Sequence, residues 1–181
     1  MGFHVCIDVS GLCTRQLIKI CQNFIMYEDV TDSFMPPSRR TGSRETDRYF
    51  KSNRQSVGSN MTSKQRKDAL LNCRDVSSLA RIMNAGGSRY FKMNLQNLVT
   101  GRQPTIEFRQ HSATSECEKV NAWIRFCSAF VHNSTRLQPS RAFRSNCALD
   151  EQFEALFYHV IKDRDFYAKR RRTLNNEEDA C

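Results

Sequence analysis

The chain has no run of about eighteen apolar residues, the length a helix needs to cross a bilayer. None of its eight cysteines, at 6, 13, 21, 73, 117, 127, 147 and 181, forms a C-x-x-C pair, which excludes a zinc knuckle and a thioredoxin-type motif. It contains no internal repeat and no recognised RNA- or DNA-binding motif. The opening residues, Met-Gly-Phe-His-Val-Cys-Ile-Asp, have neither the basic start nor the long apolar stretch of a secretory leader and run straight into a strand pattern. The expectations are a reduced, cytoplasmic setting, with Cys21 and Cys127 acting as small core hydrophobes, and upstream sequence beyond these 181 residues.

Acidic residues are also scarce. Against 28 Lys and Arg stand 19 Asp and Glu, a net charge of +9. The excess is concentrated between Arg39 and Arg74, where ten basic residues meet three acids. That stretch is rich in Ser and poor in large apolar residues, so a basic mobile insertion at about 38–74 is expected. It fits a lid over an anionic ligand, a polyanion-binding loop, or a loop that is simply solvated.

What is present is alternation. Phe3, Val5, Ile7 and Val9 interleave with His4, Cys6 and Asp8; Phe91, Met93 and Leu95 with Tyr90, Lys92 and Asn94; Ile106 and Phe108 with Thr105, Glu107 and Arg109. Successive strand residues point to opposite faces, so each segment offers one apolar and one polar side. Strands are expected at about 3–9, 89–98 and 105–110, the last two joined through Thr100-Gly101-Arg102-Gln103 as an antiparallel hairpin. Helices are expected from Thr14 to about Asp29, from about Asp75 to Met83, after the Ser115-x-x-Glu118 capping box, and from about Asp150 to Phe166. The remainder, 167–181, reads as a disordered charged tail. The fold class is α+β, an antiparallel sheet with one polar active face and helices packed on the other.

If the strands share a sheet, His4, Asp8, Lys92, Asn94, Glu107 and Arg109 project from one side. Glu107-x-Arg109 sets a carboxylate beside a rigid phosphate-binding fork, and His4 and Asp8 stand as further metal ligands. The same residues also fit an ordinary antiparallel sheet whose outer face meets water, with Glu107 and Arg109 a surface ion pair worth about 0–1 kcal/mol.

Four segments, in this order, carry a resemblance: Gly2-Phe3-His4-Val5-Cys6-Ile7-Asp8, Pro36-Pro37-Ser38-Arg39-Arg40, Arg89-Tyr90-Phe91-Lys92-Met93-Asn94-Leu95, and Thr105-Ile106-Glu107-Phe108-Arg109-Gln110-His111 with Ser112-Ala113-Thr114. Together they resemble the amidoligase family, which is similar to glutamine synthetase and the glutamate–cysteine ligases in its carboxylate–amine ligase fold. The resemblance implies an amidoligase-like domain over 1–166 and an ATP- and Mg²⁺-dependent ligase. It would activate a small-molecule or peptide carboxylate as an acyl phosphate that an amine then attacks. On matching positions it implies Glu107, His4 and Asp8 at the metal, Arg109, His4 and Cys6 at the nucleotide, and Arg109, Lys92, Asn94 and Arg40 in catalysis, with Arg40 reaching in from the mobile loop.

Two departures stand out. The family's first His-x-His is His4-x-Cys6 here, and a thiol cannot replace imidazole as a neutral donor to phosphate. The family's Glu-x-Glu strand does not precede His4, so the chain is expected to be the C-terminal part of an amidoligase with an open sheet edge. The alternatives are a basic nucleic-acid-binding protein and a non-catalytic remnant of the ligase fold.

Overall fold

The structure is a computed structural model that describes residues 2–137 and 147–179. Its alternating segments form three short strands, β1 (Val5–Asp8), β2 (Met93–Asn94) and β3 (Thr105–Phe108). All pairings are antiparallel, and β3 lies between the other two. The register sets Val5 and Met93 beside Phe108, and Cys6 and Asn94 beside Glu107. Because side chains alternate with period two, this one register assigns both faces. Val5, Met93, Ile106 and Phe108 enter the core, while Cys6, Asn94 and Glu107 line the opposite side.

The helices follow capping and apolar periodicity. Helix α1 (Thr14–Ser33) starts after Cys13, whose backbone N–H is capped by the Gln16 side chain at 3.0 Å. It continues one turn beyond the expected Asp29, burying Val30, Thr31 and Asp32, and stops ahead of Pro36-Pro37. A 3-10 turn at Pro37–Arg39 follows, then α2 (Arg44–Tyr49), α3 (Asn53–Gly58), α4 (Ser63–Leu71) and α5 (Val76–Met83). The stretch 38–74 is therefore largely helical and packed, not the mobile excursion its composition suggests. Ser52 and Thr62 hydroxyls cap α3 and α4, and Val57 and Leu70 join the core. Buried Asn53 ties the segment to β2 through hydrogen bonds with the Met93 backbone on both its amide groups.

Helix α6 (Gln96–Val99) replaces the second half of the long strand expected at 89–98. Helix α7 (Cys117–Ser134) begins one residue later than the Ser115 box requires, with Glu116 at its N-cap and no side-chain cap. Its Trp123, Phe126 and Phe130 pack with Phe24 and Phe108 beneath the sheet. Helix α8 (Leu149–His159) ends before the expected Phe166, and α9 (Arg164–Asp179) occupies most of the segment read as a disordered tail. Tyr167 explains that correction: it is buried, donates its hydroxyl to the Ala122 carbonyl at 2.9 Å and packs 4.7 Å from the Phe34 ring. Arg170 adds a bond from Nε to the Phe34 carbonyl at 2.8 Å. The last two residues of the expected tail, 180–181, lie outside the described residues. Cys21 and Cys127 are buried and burial raises both thiols, so they serve as core hydrophobes. Among the described residues no helix is long and apolar enough to cross a membrane.

Candidate anion-binding site

Glu107 occupies the middle of β3, on the polar face. Its Oε2 accepts a hydrogen bond from Asn94 Nδ2 at 2.8 Å across the ladder. Its Oε1 accepts from Arg109 Nη1 at 2.9 Å and lies 3.0 Å from His4 Nδ1. Asn94 is fixed in turn, because its Oδ1 accepts from the Gln96 backbone N–H at 2.9 Å. Burial alone would raise the Glu107 carboxyl, but hydrogen bonds from His4 and Asn94 and the Arg109 charge outweigh it and bring its pKa down to about 2. The carboxylate is therefore ionised at every working pH, and it holds His4 and Arg109 side by side. His4 directs its Nδ1 at the carboxylate and its Nε2 toward Gly2. A Cβ on Gly2 would stand 2.8 Å from that Nε2, so any other residue there would push the imidazole aside.

Above this group lies a cleft of about 390 Å³ lined by Gly2, His4, Arg39, Tyr49, Phe50 and Arg109, among others. The Arg39 guanidinium sits 4.1 Å over the Phe50 ring and that of Arg109 5.6 Å from the Tyr90 ring. Tyr49 and Tyr90 meet edge to face at 5.9 Å. Arg109 is 8 % exposed, and its Nε is buried without a hydrogen-bond partner. The cleft thus presents two guanidiniums, while the neighbouring carboxylate of Glu107 is already engaged.

Three expected site residues are placed elsewhere, and a fourth, Cys6, is in place but poorly suited. Lys92 does not face the cleft. It is fully buried on the helix side, with Nζ 2.6 Å from Asp32 Oδ1, 3.1 Å from Glu28 Oε1 and 2.6 Å from the Thr41 hydroxyl. Alternation fails there because the antiparallel ladder begins only at Met93, while Phe91 is drawn into a parallel bridge with Lys51. Arg40 does not reach in either. The Pro37–Arg39 turn delivers Arg39 instead, and Arg40 donates Nε to the Met35 carbonyl at 2.8 Å on the side of Asp29 and Asp32. Asp8 pairs with Thr105 at the far end of the sheet, and its carboxylate accepts from the Ser10 backbone N–H at 2.8 Å. That bond lowers its pKa. Cys6 shares the face of Glu107, but burial and the nearby carboxylate raise its thiol, which leaves little thiolate to act as ligand or nucleophile.

Three features escape a reading of the sequence: Arg39 in the cleft, the aromatic wall, and the buried carboxylates behind it. The last left a signal, since Glu28 and Asp32 are four residues apart and so share one face of α1.

His111 follows the site on the chain. It is 3 % exposed, lies 5.3 Å from the Trp123 ring, and its Nδ1 donates to the Ser112 carbonyl at 2.7 Å. Burial lowers its pKa to about 4 from an ordinary 6.5. The unfolded chain thus takes up this proton first as the pH falls, and stability present above about 6.5 is lost progressively down to about 4. Melting temperature measured from pH 7 to 4 is expected to fall, and His111→Phe to flatten that slope; an unchanged slope would remove His111 as its cause.

The polar face of the antiparallel sheet thus carries an engaged carboxylate beneath a cleft lined by two arginines. The family model described as “Putative amidoligase enzyme” matches residues 1–131, and the chain belongs to that ligase-type family. The matched span includes the sheet, the cleft and the Lys92 cluster. No curated protein and no solved structure matches the chain.

Proposed function

We propose that the chain is an ATP-dependent carboxylate–amine ligase whose Arg39–Arg109 cleft binds the phosphoryl-bearing reactant. The γ-phosphoryl of ATP passes to a carboxylate oxygen, giving ADP and an acyl phosphate. An amine then attacks the acyl carbon, phosphate leaves with the C–O electron pair, and the nitrogen sheds a proton. Such transfers depend on cations placed around the equatorial oxygens, which is the part Arg39 and Arg109 would play. The observation that carries the reading is the pair of guanidiniums, Arg39 and Arg109, lining one cleft beside Glu107, whose two oxygens are already hydrogen-bonded. A three-stranded antiparallel sheet with one polar face supports a glutamine synthetase-like arrangement as part of the same reading.

Magnesium fits less well. The ion takes one or two carboxylates together with phosphate oxygens. Here Glu107 is already engaged by His4, Asn94 and Arg109, Asp8 caps a turn, and no group of three His, Cys, Asp or Glu among the described residues is arranged for a metal. As arranged, these residues do not make up a magnesium site.

Calorimetric titration of ATP into the chain, with and without magnesium, tests the reading. Binding is expected in both buffers and is expected to weaken as salt rises. A folded chain that binds no ATP would sink it. Salt-sensitive binding of random RNA without ATP binding would mark a polyanion-binding protein instead.

A further inference from the structure

Two arginines can share one oxyanion only if the gap between them is held. Arg109 follows directly from β3, whereas Arg39 rides on the Pro37–Arg39 turn outside the sheet. Behind that turn lies Gln110, the residue after Arg109, with 1 % of its surface exposed. Its Nε2 donates to the Arg39 carbonyl at 3.1 Å and also to Asp32 Oδ1. Both partners are pure acceptors, so the amide orientation is unambiguous. Asp32 Oδ2 accepts from the Thr41 backbone N–H at 2.8 Å and from the Thr41 hydroxyl at 2.7 Å. Lys92 Nζ closes the network on Asp32 and on the same hydroxyl. One carboxylate on α1 therefore holds residue 41 directly and residue 39 through Gln110.

We propose that Gln110 and Asp32 are positioning residues that set the spacing between the Arg39 and Arg109 guanidiniums, so that both engage one polyphosphate oxyanion. The inference rests on the reading of the cleft as the phosphoryl site. Gln110 touches no ligand; it acts through the carbonyl of Arg39, and Asp32 acts through Gln110 and Thr41. Fastening the turn from behind gives this buried polar cluster a role in the cleft beyond its links between α1 and its neighbours. It also explains why Arg39 enters the cleft while Arg40, one residue on, is turned away.

A double-mutant cycle read by calorimetry with inorganic tripolyphosphate in magnesium-free buffer separates positioning from general support of the fold. Gln110→Met is expected to weaken binding about tenfold in the native background but less than about twofold in Arg39→Ala, because the residue it positions is gone. Circular dichroism confirms that each variant is folded, and Thr41→Val takes the place of Gln110→Met in the cycle if the latter is not. Equal losses in both backgrounds would overturn the positioning role while leaving the cleft reading in place. Tripolyphosphate binding by no form of the folded chain would overturn both.

Discussion

Replacing Lys92 with methionine is expected to destabilise the chain by about 3–5 kcal/mol, the loss that follows when one member of a buried ion pair is removed. Lys92 is fully buried, and the carboxylates it meets, Glu28 and Asp32, are 1 % and 8 % exposed. Burial alone would lower the ammonium pKa, but the two carboxylates prevail and raise it. The stabilisation is therefore complete below the ordinary value of 10.5 and is lost only as pH climbs through the folded one. Methionine keeps much of the volume and removes the charge, leaving two acids facing each other without a cation. Domains are stable by only about 5–15 kcal/mol in total, so a loss of this size is expected to lower the melting temperature by about 10 °C. Adding Glu28→Gln and Asp32→Asn to Lys92→Met is expected to recover much of it, because no orphan charge remains. Thermal unfolding followed by circular dichroism checks both. A drop of less than about 2 °C in the single variant would show that the cluster contributes little to stability.

The parts of the fold that are legible in the sequence are those governed by local period. The sheet face that carries Cys6, Glu107 and Asn94 follows from alternation, and the register confirms it. The helix expected over 75–83 forms as Val76–Met83 with Asp75 at its cap, its side chain accepting from the Ser78 N–H. The parts that are not legible depend on partners distant in the chain. Alternation from Tyr90 to Leu95 reads as a single strand, yet Lys51 captures Phe91 from about forty residues away and the period breaks at Lys92. Serines and threonines in 38–74 lower apparent core content, although Ser52 and Thr62 are helix caps. Tyr167 looks like an isolated aromatic in a charged tail until Phe34 and the Ala122 carbonyl receive it.

The candidate site divides along the same line. Glu107, Arg109, Asn94 and His4 come together as the strand spacing predicts, since all four lie in or beside the ladder. Arg40 and Lys92 do not join them, because a proline-led turn and a broken strand decide where those side chains point. Glu28 and Asp32 would sit on a solvated helix edge in isolation; a buried lysine from the other end of the domain makes that edge an interior. Chemistry held by the strand ladder is thus readable from residue order, whereas chemistry assembled across a turn is not.

Replacing Arg109 with alanine is expected to weaken ATP binding about a hundredfold. Arg109 lines the cleft with its Nη1 held by Glu107, while its Nε is buried without a hydrogen-bond partner. Two charge-assisted hydrogen bonds to phosphate, at about 1.5 kcal/mol each, amount to that factor in Kd. The loss is expected in affinity more than in folding. Glu107 keeps its bonds to His4 and Asn94 when Arg109 is gone, so the carboxylate is not stranded. Arg109→Lys sharpens the test, because lysine retains the charge but not the planar fork. If the cleft needs only positive potential, lysine will restore binding almost fully; if it needs the fork, lysine will recover a small part. Calorimetry on both variants and the native chain decides, with melting temperature as the check on folding. An unchanged Kd in folded Arg109→Ala would move the nucleotide away from this cleft, and with it the catalytic assignment of the polar sheet face. A hundredfold loss only partly rescued by lysine would tie nucleotide recognition to the guanidinium that Glu107 orients, and would give that carboxylate an aiming role in place of a metal.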